Sequence, residues 1–82
     1  MILTKAQYER FINIVPRWEP AFPLLAYIVI TWDKTETNQQ RYARTATEFN
    51  KSTNTVKKYV TDTLKAHNIS NINDLVGSVL NG

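Results

Sequence analysis

The amino-acid sequence predicts an all-α protein, with one domain over residues 1–82 built as a compact bundle of about five helices. Apolar residues recur at intervals of three and four in four segments of the chain, and hydroxyl residues suited to helix N-caps precede three of these segments. Only one run is rich enough in β-branched and aromatic residues to resemble a strand. That run has no second strand-like run to pair with.

The composition supports a folded domain. Hydrophobic residues make up 43% of the 82-residue chain and aromatic residues 11%, with only two Gly and three Pro, so the sequence does not resemble a disordered segment. A chain of this length builds a single modest core, and association with a second copy would add stability.

The first predicted helix runs from about Lys5 to Val15. Thr4 is its N-cap, and Gln7 three residues later completes a capping box. The helical repeat of apolar residues consists of Tyr8, Phe11, Ile12 and Val15. Pro16 ends this helix, and the prolines up to Pro23 predict an irregular connection.

The segment from Leu24 to about Trp32 fits either a helix or a buried strand. A lone strand would leave its backbone donors and acceptors without partners, whereas a helix pairs them internally. We therefore predict a second helix, entered at Pro23 and buried on most sides. A polar linker from Asp33 to Asn38 follows it.

The third predicted helix starts after Thr37, which again stands three residues before a Gln, and ends near Phe49. Its inward face consists of Tyr42, Ala46 and Phe49. At 100° per residue the opposite side, expected to face solvent or phosphate, carries Arg41, Arg44 and Glu48.

The fourth predicted helix begins after Ser52, its N-cap, and ends near Ala66 or His67. Its core stripe consists of Val56, Val60 and Leu64, with Tyr59 and Thr63 alongside. The opposite side bears amide, hydroxyl and ammonium groups from Asn54, Lys58, Thr61 and Lys65, flanked by Thr55 and Lys57. Asp62 is the single acid on its edge.

Together the third and fourth helices predict a helix-turn-helix from Tyr42 to Leu64. Ala46 is small enough for a helix crossing, and Asn50 tolerates the positive φ that the turn requires. A fifth helix, from about Asn71 to Leu80, is strongly amphipathic. It either completes the core or pairs with a second copy, and we favour the core.

Positive charge is concentrated in the predicted helix-turn-helix. Residues 41–65 contain six Lys or Arg and two acids, a net charge of +4, whereas the rest of the chain has four bases and five acids. Such asymmetry is typical of a surface that neutralises phosphates, although basic helices are often merely solvated.

Several other classes of protein are disfavoured. The absence of Cys excludes disulfides, thiolate zinc sites and cysteine catalysis. No phosphate-binding loop, dinucleotide turn or Ser/His/acid set is present, and His67 lies at a predicted helix end, so no enzymatic activity, cofactor or metal is expected. Asp33 and Glu36 are interpreted as solubilising groups. The longest apolar run, residues 21–32, is too short for a membrane span, and the N-terminus lacks the features of a secretory signal.

From Ala46 onward the chain resembles the LuxR/GerE class of helix-turn-helix DNA-binding domains, over about 35 residues. The resemblance is carried by Ser52-Thr-Asn-Thr-Val-Lys57, Tyr59-Val60, Leu64-Lys65, Ile69-Ser-Asn71 and Asp74-Leu-Val76. Residues 16–38 hold an apolar element that this class lacks. With that element the overall layout is similar to small plasmid and pilus-operon repressors of the KorA/TrfB and PapB kind.

Either resemblance implies a sequence-specific transcriptional regulator, cytoplasmic and associated with the bacterial nucleoid, that binds double-stranded DNA. We expect a repressor or autorepressor, concerned with plasmid maintenance or conjugation if the second resemblance applies, and acting as a homodimer or cooperative array without membrane or small-molecule ligand. Helix 52–66 would enter the major groove, with base contacts from Asn54, Lys57, Lys58 and Thr61. Expected phosphate contacts are Arg41, Arg44, Lys51, Ser52, Thr53, Thr55, Tyr59 and Lys65. The alternative is a protein-interaction module of the same shape that does not bind DNA, with the fifth helix or the segment Trp18–Phe22 as its exposed apolar patch.

Overall fold

Five α-helices follow one another in the computed structural model, which describes residues 3–81. Their bounds are α1 Lys5–Ile14, α2 Phe22–Ile30, α3 Asn38–Glu48, α4 Thr53–Ala66 and α5 Ile72–Asn81. No strand occurs within residues 3–81, so the all-α prediction is confirmed for that range. Positions 1, 2 and 82 of the expected domain lie outside it.

The second helix resolves the choice between helix and strand. Residues 22–30 are helical, and Pro23 stands in the first turn, where its missing N–H removes no helical hydrogen bond. Leu24, Leu25, Ile28 and Val29 are at most 1% exposed. Because α2 packs against both α3 and α4, apolar residues on most of its faces find partners.

The helix starts follow the predicted caps. Thr4 and Thr37 each accept a hydrogen bond from the backbone N–H three residues on, and Gln7 and Gln40 complete the capping boxes. At α4 the Ser52 hydroxyl accepts from the Thr55 N–H at 3.1 Å. Each cap satisfies a donor that the first helical turn would otherwise leave without a partner.

The outer pair of helices, α1 and α5, close the core beside α2. Phe11 of α1 is fully buried and stacks on Phe22, with ring centroids 5.2 Å apart. Arg10 donates two hydrogen bonds to the Val79 carbonyl, at 3.0 and 2.8 Å. Four apolar residues of α5 are buried, namely Ile72, Leu75, Val76 and Val79. The fifth helix therefore completes the core, as favoured from the sequence.

Candidate nucleic-acid interface

A four-residue turn, Phe49 to Ser52, joins α3 to α4. Asn50 has a φ of 54°, the left-handed conformation predicted for this position. The Lys51 N–H donates to the Ala46 carbonyl at 2.9 Å and the Asn50 N–H to the Thr47 carbonyl at 3.3 Å, so two carbonyls of the last turn of α3 find partners in the turn. The turn thus fixes the direction in which α4 leaves α3.

One side of α4 is anchored in the core. Val56 and Val60 are fully buried, and Thr63 and Leu64 are 6% and 3% exposed. Tyr27 of α2 contacts Phe49 edge-to-face, with ring centroids 5.7 Å apart, and this contact packs the turn against α2. Because its buried stripe is packed against α2 and α3, α4 presents its other side as a rigid rod.

The outward side of α4 is exposed and cationic. The side chains predicted to contact bases, Asn54, Lys57, Lys58 and Thr61, are all exposed. Lys51, Ser52 and Lys65 are exposed as well, and Thr53 and Thr55 are half-buried. We call the set Asn54, Lys57, Lys58, Thr61 and Lys65, together with Lys51 of the preceding turn, the α4 face.

The lysines of the α4 face make no ion pair among residues 3–81. Arg44 pairs with Glu36, and Glu19 lies 3.0 Å from His67 Nε2, so the acid contacts found within residues 3–81 go to other partners. The Thr61 hydroxyl donates to the backbone carbonyls of Lys57 and Lys58, which occupies its proton within the helix. The arrangement can attract phosphates and offer ammonium and amide groups to hydrogen-bond acceptors.

Arg41 contradicts the prediction that its side chain faces solvent or phosphate. It is 3% exposed, lies 3.5 Å above the Trp32 ring, and donates hydrogen bonds to the Asp33 carbonyl and to Asn38 Oδ1. Thr45, one turn later, is also fully buried. The inward face of α3 is therefore wider than the apolar residues alone indicate, and it includes Arg41.

The surroundings of Arg41 alter the acid–base properties of that region. Burial lowers the pKa of the Arg41 guanidinium, which still remains charged at neutral pH. Hydrogen bonds from Thr35 lower the pKa of Asp33. The linker between α2 and α3 is held by the hydrogen bonds of Thr35 to Asp33 and of Arg41 to the Asp33 carbonyl. The Arg41 guanidinium serves structure here, because it is buried.

Arg44 is likewise occupied by other groups. It makes a 2.9 Å ion pair with Glu36, donates to the Thr31 carbonyl at 3.0 Å, and its guanidinium lies 5.3 Å from the centre of the Tyr27 ring. The prediction of a free arginine facing solvent is wrong here, since the side chain is half-buried. The sequence analysis interpreted Glu36 as a solubilising group, whereas the structure pairs it with Arg44.

Tyr59 differs from the prediction in a smaller way. It was placed beside the core stripe of α4, yet it is 40% exposed. It lines a surface depression with Asp62 of α4 and with Glu19 and Pro20 of the connection between α1 and α2. An aromatic hydroxyl in that position remains available to a phosphate, as the predicted site required.

The described chain is thus an all-α bundle that holds an exposed cationic helix. Comparison with family models, with curated protein sequences and with solved structures finds no match to this chain. No helix within residues 3–81 combines the length and the apolar character needed to cross a bilayer, and no group of three or more potential metal ligands occurs in that range.

We predict that Arg41→Met leaves any affinity for duplex DNA and its salt dependence unchanged, because the buried guanidinium touches no phosphate. The substitution leaves the Asp33 carbonyl and Asn38 Oδ1 without their donor, so the unfolding free energy should fall by about 1–3 kcal/mol. Urea unfolding and DNA titrations at several salt concentrations check both. A decrease of about 0.9 in the salt slope would show that Arg41 reaches a phosphate after all.

Proposed function

We propose that this protein is a sequence-specific double-stranded DNA-binding protein that acts as a transcriptional repressor or autorepressor. The α4 face carries the proposal: it is exposed, cationic and free of ion pairs among the described residues, on a helix whose other side is fixed in the core. In this proposal α3 and α4 form a helix-turn-helix, and α4 is the helix that enters the major groove.

The dimensions of α4 suit that role. A helix with its side chains is about 10–12 Å across, and the major groove is about 12 Å wide. The 14 residues of α4 span about 21 Å at about 1.5 Å per residue. This length allows the N-terminal half to lie in the groove while the C-terminal half remains near the backbone.

Each group on the α4 face has a matching partner on DNA. Asn54 can make two hydrogen bonds to adenine, and Lys57 and Lys58 can reach guanine O6 and N7. Because the Thr61 hydroxyl is bonded within the helix, its methyl group is the part that meets a thymine methyl. Lys51, Thr53, Thr55, Tyr59 and Lys65 would then hold the flanking phosphates.

Ser52 acts indirectly in this mechanism. Its hydroxyl caps α4 and bonds the Thr55 hydroxyl at 2.8 Å, so it orients the first turn. The N-terminus of α4 carries a partial positive charge from the helix dipole, which adds to the attraction for a phosphate. Arg41 and Arg44 are omitted from the proposed contacts because other groups of the protein occupy them.

A salt titration tests the proposal. Labelled duplex DNA from upstream of the protein's own gene is titrated at several salt concentrations, and binding is followed by fluorescence anisotropy. We expect the logarithm of the affinity constant to fall linearly with the logarithm of salt, by about 0.9 for each phosphate contact. Absent binding, or binding that does not respond to salt, would contradict the proposal.

We predict that Lys58→Ala weakens binding by about 1–3 kcal/mol at one base position, if Lys58 reads a base. Competition with duplexes carrying single base changes identifies that position, since the variant should no longer discriminate there. Lys5→Ala is the matched control, because Lys5 is exposed on α1 outside the α4 face. An equal loss on all sequences would make Lys58 a phosphate contact only.

Specificity from one α4 face is limited, because it offers four base-reading positions. Two copies on half-sites about 34–36 Å apart would double them. We therefore propose a homodimer or a cooperative array on DNA, which footprinting would distinguish by the spacing of protected sites.

The second candidate function is a protein-interaction module without DNA binding. One observation favours it: Trp18 is 76% exposed, far more than any other large hydrophobic side chain described. If DNA titrations remain flat while Trp18→Ala removes binding to a protein partner, this candidate replaces the first.

A further inference from the structure

A depression lies beside the C-terminal half of α4, where the beginnings of α3 and α5 meet that helix. It has a volume of about 260 Å³. Its apolar wall consists of Leu64, Ile69 and Ile72, and two of these, Leu64 and Ile72, are 3% and 1% exposed. Sites for drug-sized ligands measure about 300–1,000 Å³. The depression therefore suits a smaller molecule, about the size of an amino acid.

Tyr42 of α3 supplies an unpartnered polar group to this depression. The residue lines it and is 7% exposed. Within residues 3–81 the Tyr42 hydroxyl makes no hydrogen bond to protein. It is not fully enclosed either, because the one fully enclosed side-chain N or O atom without a partner in that range is Arg41 Nε. Buried phenols usually find a partner. Because burial raises the pKa of Tyr42, the hydroxyl keeps its proton and offers it to an acceptor.

The rim carries one acid and one base, Asp62 and Lys65. They stand three residues apart on α4 and therefore on neighbouring positions of its surface. Both are exposed, and neither belongs to an ion pair within residues 3–81. A simple anion would be repelled by Asp62, and a simple cation by Lys65. A molecule that bears both charges satisfies both side chains.

From this arrangement we propose that the depression binds a free α-amino acid. Its ammonium group pairs with Asp62, and its carboxylate accepts hydrogen bonds from Lys65 and from the Tyr42 hydroxyl. The side chain of the amino acid lies on Leu64, Ile69 and Ile72. The sequence analysis expected no small-molecule ligand, because the lining residues come from three helices and the connection between α4 and α5, which only the fold brings together.

The proposed site overlaps the α4 face. Thr61 and Lys65 belong to both, so the regulatory consequence rests on the proposed function. A bound carboxylate would occupy Lys65 and remove one phosphate contact. We therefore expect the amino acid to weaken DNA binding and to lower the salt slope by about 0.9. Ligand binding itself does not depend on DNA.

The test begins with the full chain without DNA. Amide spectra of the ¹⁵N-labelled protein are recorded while L-leucine, and then the other common α-amino acids one at a time, are added to millimolar concentration. We expect saturable shifts for at least one of them at Lys65 and at residues 69–72. N-acetyl-L-leucine amide, which has the same side chain but no charges, should cause none.

Two variants and one control identify the contacts. Tyr42→Phe should weaken binding about 3–10-fold, the effect of one hydrogen bond, and Asp62→Asn should weaken it at least as much. Glu9→Gln is the control, because it makes the same kind of change on an exposed acid of α1. Circular dichroism verifies that each variant is folded.

Several results would overturn the proposal. These are the absence of saturable shifts with every amino acid, equal binding of the uncharged amide, or an Asp62→Asn variant that binds as tightly as the native chain. Tighter binding of inorganic phosphate than of any amino acid would mark the depression as an anion site instead. These measurements contain no DNA. A negative result therefore overturns the amino-acid site and not the DNA-binding proposal, and an absence of DNA binding does not affect the test of the amino-acid site.

Discussion

Replacement of Lys51, Lys57, Lys58 and Lys65 together by Gln is expected to weaken binding to duplex DNA about a thousand-fold at ~0.15 M salt. Each neutralised phosphate contributes about 0.9 times the logarithm of the inverse salt concentration, which is about 0.7 logarithmic units at that salt. Two of the four, Lys51 and Lys65, are proposed phosphate contacts, so their loss lowers the salt slope by about 1.8. Loss of the proposed base contacts of Lys57 and Lys58 adds about 1–3 kcal/mol each on the target sequence. All four side chains are exposed, and Gln is a good helix former, so the fold should persist.

The control variant replaces Lys5, Arg17 and Lys34 by Gln. These bases are exposed but lie outside the α4 face. If only net charge mattered, the control variant would show about three quarters of the loss in the logarithm of the affinity constant, since it removes three charges instead of four. If the α4 face is the binding surface, the control should retain most of the native affinity and slope. Anisotropy titrations of both variants decide between these outcomes.

Phe11→Ala is expected to lower the free energy of unfolding by about 3–5 kcal/mol, the usual effect of removing a buried aromatic side chain. Phe11 is 0% exposed and stacks on Phe22, so the cavity would open where α1 meets the start of α2. A chain of 82 residues has a total stability of about 4–12 kcal/mol, at about 0.05–0.15 kcal/mol per residue. The loss would therefore be a large fraction of the total stability, and the urea concentration at the midpoint of unfolding should fall accordingly.

Urea unfolding followed by circular dichroism measures this effect. Trp18→Ala is the matched control, since it also removes an aromatic ring but from a position that is 76% exposed. Its unfolding free energy should stay within about 0.5 kcal/mol of the native value. A Phe11→Ala variant as stable as the Trp18→Ala variant would contradict the packing described for α1 and α2.

The secondary structure could be predicted well from the sequence because it depends on local rules. Thr4, Thr37 and Ser52 cap the helices they were expected to cap, since a cap involves only residues within one turn. The positive φ of Asn50 likewise follows from a short-range requirement of the turn. The helix over residues 22–30 followed from the lack of a partner strand.

The candidate site was predicted in part. The outward orientation of Asn54, Lys57, Lys58, Thr61 and Lys65 on α4 is observed, because the apolar stripe of that helix fixes its rotation. The role of these side chains on DNA stays a prediction. For α3 the same reasoning failed, since its inward face includes the polar Thr45 and so extends to Arg41.

By itself the sequence determined which segments are helical, where they begin and which side of α4 faces outward, because periodicity and capping act over a few residues. Only the tertiary structure decided which Lys and Arg side chains are not engaged by other groups of the protein. Arg41 and Arg44 have long side chains that reach Trp32, Glu36 and Thr31 of another segment, and a helical wheel contains no information on such neighbours. The depression beside Tyr42 has the same origin, since three helices must pack before it exists.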